Sequence, residues 1–359
     1  DAVYEPGVLL PYGPVIAAAL ATGELVGASG PAVIHAIVLG ADLTCRLGRA
    51  LTKGLGWSRT ATLGVFGSAL ASARLLDLSR QQIVSALGLA LSQSSGNIQT
   101  VIDGSLAKRY QAGFAAEAGV KSAMLARGGV TGPANVFEGR CGFFNLYESG
   151  SYIRELVTRD LGSDYEGVRA SIKPFPCARE LHGALAAALE LRAKGLVPGN
   201  VRSVTVRLPP NAFALSGKPF RRSEASLAMA IGNASYGVAV ALCNGAVTLN
   251  DYEEQALTRG DVLELIELIE VVEDTAIADG RTLVPQSVTI EMRDGSTRTA
   301  VCERMPGGPE NALSENQIRA KLMACLARSA RPLKDLSVER LKRVIDDGGS
   351  ADKVVAATT

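Results

Sequence analysis

Histidine is almost absent: only His35 and His182 occur in 359 residues, which excludes a histidine-rich metal centre. The six cysteines (Cys45, Cys141, Cys177, Cys243, Cys302 and Cys325) stand far apart with no CxxC pairing, so neither a zinc knuckle nor a disulfide-stapled scaffold is written here. They read as reduced thiols, the state expected of a cytoplasmic protein or an organelle interior. A surplus of charge is also missing. Thirty-seven Lys and Arg face 36 Asp and Glu, so no general attraction for nucleic acid or an anionic membrane is expected, and any anion recognition has to be local. Asp1 to Pro14 lacks a basic segment followed by an apolar one, so no secretory signal is read there. The longest uncharged stretch, running to Asn250, is interrupted by Asn233, Asn244 and several Gly and Ser, and reads as buried helix rather than a membrane span. A Walker loop, a dinucleotide fingerprint, a nucleophile elbow and HExxH are all lacking.

What is present changes texture once. From Pro14 to about Leu146 the chain reads as successive helices of small apolar residues separated by Gly-containing turns, with Ser79 and Gln82 forming a capping-box start. Small side chains let helix axes approach closely, which predicts a compact bundle. After about Ser171, VRSVTVRLP alternates branched and polar residues, and QSVTIEMRDGSTRTAVCE reads as two strands turning at Asp294-Gly295. Pro306-Gly307-Gly308-Pro309 then returns the chain to helix, with Ser314 and Ser337 as caps. The expected fold is mainly α: a large all-helical domain of residues 1–170, completed by 312–350, with a smaller α+β lid domain of residues 171–311 inserted into it.

Cationic residues in apolar, turn-adjacent surroundings are the candidates for chemistry. Lys108 and Arg109 follow the Gly104-Ser105 turn, Lys173 and Arg179 bracket KPFPCARELHG, His182 starts a helix of alanines, and Tyr236 interrupts an apolar helix. Each has a structural alternative as a solvated charge, a helix-end histidine or a hydrogen-bonded core tyrosine. Together they predict a polycarboxylate pocket at the domain junction, since Arg forks bind carboxylates and Lys supplies point charges. A desolvated lysine near other cations has a lowered pKa and can move a proton at carbon beside a carboxylate.

The block from Ala86 to Phe144, which contains DGSLAKRYQAGFAAEAGVKSAMLA, resembles the signature region of the MmgE/PrpD family, which includes 2-methylcitrate dehydratase, cis-aconitate decarboxylase and iminodisuccinate epimerase. KPFPCARELH and NASYGVAVALCNGAV resemble its second and third motifs. The resemblance implies a homodimer with the active site between the helical domain and the lid, and no metal or organic cofactor. It assigns Lys108, Lys173, Tyr236 and His182 to catalysis, and Arg109 and Arg179 to substrate carboxylates. It departs from the family at three places where histidine is usual: Leu10, Ser58 and Gln111. The reading that follows is a cofactor-independent lyase that dehydrates a citrate-like polycarboxylate. The alternatives are an epimerase or decarboxylase on a related di- or tricarboxylate, and a non-catalytic anion-binding or assembly protein.

Overall fold

The computed structural model describes residues 1–53, 56–224, 226–277, 282–329 and 342–358. The chain divides into two units, one formed by residues 1–170 and 322–359 and the other by residues 171–321. The α+β unit therefore extends to Lys321 rather than stopping at residue 311. Its last residue is tied to its first segment, because Lys321 Nζ donates to the Lys173 carbonyl at 2.8 Å. Ser314 caps its helix as expected, through reciprocal bonds with Gln317. The cap at Ser337 lies outside the described residues.

The first unit is a helical bundle of α1 (Tyr12–Val26), α2 (Gly30–Ala50), α3 (Arg59–Leu75), α4 (Arg80–Leu91) and α5 (Ala107–Arg127). α3 is central: all but four of its seventeen residues are buried, and it packs on α1, α2, α4 and α5. Small residues make this possible. A Cβ placed on Gly119 of α5 would stand 2.4 Å from Ser68 Cβ and 2.7 Å from the Ala69 nitrogen, so glycine there sets the closeness of the α3–α5 crossing. Ser79 opens α4 with the complete capping box.

α2 is the one described helix long and apolar enough to cross a membrane by length and composition, and half of it is buried in the bundle. It also carries an internal ion pair, Arg46 Nε to Asp42 Oδ2 at 2.7 Å. Arg46 donates on to the carbonyls of Arg159, at 2.6 Å, and Asp164, while Asp42 Oδ1 accepts the Glu166 amide at 2.7 Å. These bonds fasten the segment after residue 157 to α2, and Tyr4 completes the network by donating to Glu166 at 2.5 Å. Burial and the neighbouring Glu166 carboxylate both push the Tyr4 phenol far up, so it stays a donor.

The second unit pairs a four-stranded sheet with helices. The strands are β1 (Val201–Leu208), β2 (Ile269–Glu273), β3 (Gln286–Met292) and β4 (Thr297–Cys302), in the spatial order β2-β1-β3-β4. β1 runs parallel to β2 and antiparallel to β3, and β3 and β4 form the hairpin at Asp294-Gly295, where Gly295 adopts φ +83°. Gln286, Val288, Ile290 and Met292 alternate inward along β3. Helix α6 (His182–Ala193) packs on β3 and β4 and is covered in turn by α7 (Ala234–Asn244). The long uncharged stretch thus resolves into two short helices, Leu227–Ile231 and α7, divided where Asn233 caps the Tyr236 amide. Alternating strands supply one side of this core, and Leu181, Leu185 and Leu191 of the α6 region the other.

Candidate active site

In the α+β unit the second motif folds around the start of α6. Two prolines at 174 and 176 remove backbone donors, so Lys173 to Ala178 cannot join a regular ladder. A short 3-10 turn, Arg179–Leu181, then feeds directly into His182 at the first position of α6. That turn places Arg179 and His182 on one side, with Arg179 Nη1 3.2 Å from His182 Nδ1. Arg179 also donates to the Pro306 carbonyl at 2.6 Å. The Pro306–Pro309 turn can reach it because Gly307 holds φ +79°. Any Cβ at Gly307 would sit 1.9 Å from the Ile172 carbonyl oxygen, closer than two atoms can stand.

The helix start is itself held by a residue from the sheet. Gln286 Oε1 accepts the Ala184 amide at 2.6 Å, and its Nε2 donates to the carbonyls of Glu180 and Leu283 at 2.7 and 2.6 Å. One buried amide side chain thereby satisfies an orphan helix donor and fixes where His182 begins the helix. A Cβ on Gly183 would be 2.8 Å from the Gln286 side chain, so the Gly after His182 makes room for it.

The charges acting on His182 are all cationic. His182 is fully buried, and its pKa is held well below 6.5 by that burial first and then by the Arg179, Lys173 and Lys321 cations, so the ring is neutral at physiological pH. Its Nε2 has no hydrogen-bond partner in the protein. A buried orphan of this kind calls for a ligand or water. Desolvation lowers the Lys173 pKa, and Arg179 adds to the effect while Glu180 and the Cys177 thiol oppose it. Cys177 itself is pushed up to about 12 by burial and is an inert thiol. Three cations, Lys173, Arg179 and Lys321, thus surround one neutral imidazole, an arrangement that attracts a multiply charged anion.

Tyr236 lies in the same unit but in its core. Its hydroxyl donates to the Asp251 carbonyl at 2.5 Å, its ring stacks on Phe220 at 5.2 Å, and burial pushes its pKa up to about 12. The phenol and its proton are committed to the main chain. Tyr252 stands between it and the motif, 5.8 Å from the Tyr236 ring and with its hydroxyl directed at Cys177.

Lys108 and Arg109 belong to the helical unit. α5 begins at Ala107, so the pair stands in the helix's first turn rather than ahead of it, and both side chains are exposed. Cations oppose the helix dipole there, while the unsatisfied amides of the same turn favour anions. Two residues on, buried Gln111 accepts the Asn97 amide at 2.7 Å and donates to the Asn97 carbonyl at 3.2 Å and Thr100 Oγ1 at 2.8 Å. In place of an imidazole, this chain has a bracket that ties the Asn97–Thr100 turn to α5. Ser58 stands at the N-cap position of α3 without a side-chain capping bond, and the Leu10 amide donates to Thr60 Oγ1 at 3.0 Å. A groove of about 530 Å³ also runs between α1 and α5, but Ala17, Ala21, Val120 and Met124 make it apolar and unsuited to a polycarboxylate.

The structure therefore gathers Lys173, Arg179 and His182, and leaves Tyr236 engaged with the Asp251 carbonyl. Two residues of this cluster escaped the sequence reading. Gln286 carries no local signal, being an ordinary polar residue at a strand start. Lys321 sits on a helix with no fully buried residue, where a lysine reads as solvated. Among the described residues no group of three or more His, Cys, Asp or Glu is placed to share a metal ion.

Comparison with known proteins also finds two parts, the second running past the Lys321 boundary. Residues 1–155 match the MmgE/PrpD N-terminal domain and residues 175–347 the MmgE/PrpD C-terminal domain. A cis-aconitate decarboxylase-like protein of Aspergillus oryzae is 30% identical over 336 residues, which is 88% of this chain and 67% of the relative. The cis-aconitate decarboxylase of Aspergillus terreus is 30% identical over 304 residues, 79% of this chain and 61% of its own. That of Homo sapiens is 23% identical over 293 residues, 79% and 58%. The chain thus spans 58 to 67% of the length of these relatives. Both domain matches and the long, near-complete alignment of the chain lead to one conclusion: this chain belongs to the MmgE/PrpD family, a family of lyase type.

Proposed function

We propose that the protein is a lyase that decarboxylates a cis-aconitate-like unsaturated tricarboxylate. The observation that carries the reading is the cluster of Lys173, Arg179 and Lys321 around neutral His182, a charge excess matched to a multiply charged acid. The names of the relatives support the same substrate class. In such a step the bond between carbon and one carboxylate breaks and CO2 leaves. The electron pair passes into the remaining unsaturated system as a carbanion stabilised by its neighbouring carboxylate, and a carbon of that system takes a proton. Arg179 holds a carboxylate, the surrounding cations stabilise the developing negative charge, and Lys173, whose lowered pKa makes its ammonium a ready acid, delivers the proton.

A second reading, dehydration of a citrate-like hydroxy acid, is favoured by the pairing of His182 with Lys173. A neutral imidazole can take the C–H proton while an ammonium gives one to the leaving hydroxyl, so water departs and an alkene forms.

The test is incubation with cis-aconitate and, separately, with citrate in deuterated buffer, followed by proton NMR and CO2 release. The expected result is CO2 with one deuterium in the product, and a kcat reduced about 10²- to 10⁴-fold in Lys173→Met. Loss of water from citrate without CO2 would select the second reading. No turnover and no solvent exchange across a panel of di- and tricarboxylates would overturn both.

A further inference from the structure

We propose that Lys321 is a positioning residue for Lys173: by holding the Lys173 main-chain carbonyl, its ammonium fixes where the Lys173 side chain is presented to the substrate. The inference rests on the role given to Lys173 in the proposed lyase reaction.

The geometry of the segment carries it. Lys173 lies just past the short extended pair Ser171–Ile172 and just before Pro174, which confines it to extended backbone and offers no amide for a neighbouring acceptor. Between Lys173 and Ala178 the chain has no regular structure. Its ends are fixed by main-chain bonds, Ile172 N to the Gly307 carbonyl at 2.8 Å and Ala178 N to the Ile231 carbonyl at 2.9 Å. Lys321 reaches the carbonyl of Lys173 itself, at 2.8 Å and in a half-buried setting. That bond crosses 148 residues and comes from α8 (Glu315–Leu326), whose start is set by the Ser314 and Gln317 capping pair.

The choice of a lysine for this task is informative. A glutamine or asparagine would donate the same hydrogen bond without bringing a third positive charge toward a lysine and an arginine. Keeping a cation there makes sense where the local positive field is used. The groups facing Lys173 are Glu180, Cys177 and Arg179 from its own motif, His182 from the start of α6 and Lys321 from α8. Removing the Lys321 charge and loosening the segment both favour the Lys173 ammonium, because one takes away repulsion and the other restores water.

The test compares Lys321→Met and Lys321→Arg with the unaltered protein in kcat, KM and the pH profile of kcat/KM on cis-aconitate. Lys321→Met is expected to lose at least tenfold in kcat, with a smaller change in KM. The limb at which activity falls as the Lys173 proton is lost should move to higher pH. Lys321→Arg, which keeps both charge and donor, is expected to stay within about threefold of the unaltered protein with its limb in place. An unchanged kcat and profile in Lys321→Met overturns the proposal, as does equal impairment of both variants with no shift of the limb. If Lys321→Met does not fold, Lys321→Ala, which likewise removes both donor and charge, is read in the same way. A chain that turns over no carboxylate refutes the proposed function alone. The Lys173 titration is then followed directly by NMR of ¹³Cε-labelled lysine, assigned with Lys173→Arg. A midpoint raised in Lys321→Met supports the positioning role, and an unchanged one overturns it.

Discussion

At the scale of single residues, chemistry here depends on protons kept off or held on by burial. His182 is neutral because its ring is buried and cations face it, and this has a consequence for stability. In the unfolded chain the imidazole binds a proton near its ordinary value of 6.5, whereas the folded protein refuses it until well below. Between those two values the unfolded state holds more protons, so stability falls as pH drops below 6.5 and is regained as pH rises past it. The slope from this one group is about 1.4 kcal/mol per pH unit. Urea unfolding at pH 7.5, 6 and 5 should show it, and His182→Leu should lower the acid slope by that amount. An identical slope in the variant would remove His182 as its source. Arg179 and His182 could be paired from the sequence because they stand three positions apart across one turn. The fate of Tyr236 could not, because the carbonyl it serves comes from Asp251 in a turn after α7. Gln111 shows the same limit: its identity was visible as an absent imidazole, but its work as a bracket for Asn97 and Thr100 needs the fold.

At the scale of elements, three local signals on described residues held where both partners were near in sequence. The Ser79 capping box, the Asp294-Gly295 hairpin and the Ser314 cap all formed as their residues dictate. Each rests on backbone conformations and hydrogen bonds within a few residues. Helix contacts are less local. The abundance of small residues announced close packing, yet which glycine sits at which crossing is decided by the register of two helices. Gly119 is the sharpest case, since a Cβ there meets the backbone of α3, which cannot swing aside as a side chain would. Gly119→Ala is expected to destabilise the protein by about 1 to 3 kcal/mol despite alanine's better helix propensity. Gly113 of the same helix, with nothing near its added Cβ, should instead gain a few tenths to about 1 kcal/mol from the same change. Chemical denaturation of the two variants side by side checks the contrast; equal effects would mean that the α3–α5 contact is not tight at Gly119.

At the scale of the whole molecule, each unit buries its own core: the helical unit gathers Leu47, Leu63, Phe66, Phe143 and Phe144 among its alanines, and the other packs aliphatic residues between sheet and helix. Leu185 is fully buried in the second. Leu185→Ala should cost about 2 to 5 kcal/mol, and hydrogen exchange read by mass spectrometry should quicken mainly in residues 171–321. Equal acceleration in residues 1–170 would show one cooperative unit instead. By itself the sequence determined the mainly helical class, the change of texture near residue 171, the family and the Lys173, Arg179 and His182 motif. These depend on composition, periodicity and short spacings, which a linear chain displays. Only the tertiary structure decided that Gln286 anchors the start of α6, that Lys321 holds the Lys173 carbonyl, and that Tyr236 serves the core. Those contacts join residues far apart or in separate turns, and a single side chain carries no local mark of the distant backbone group that it will meet.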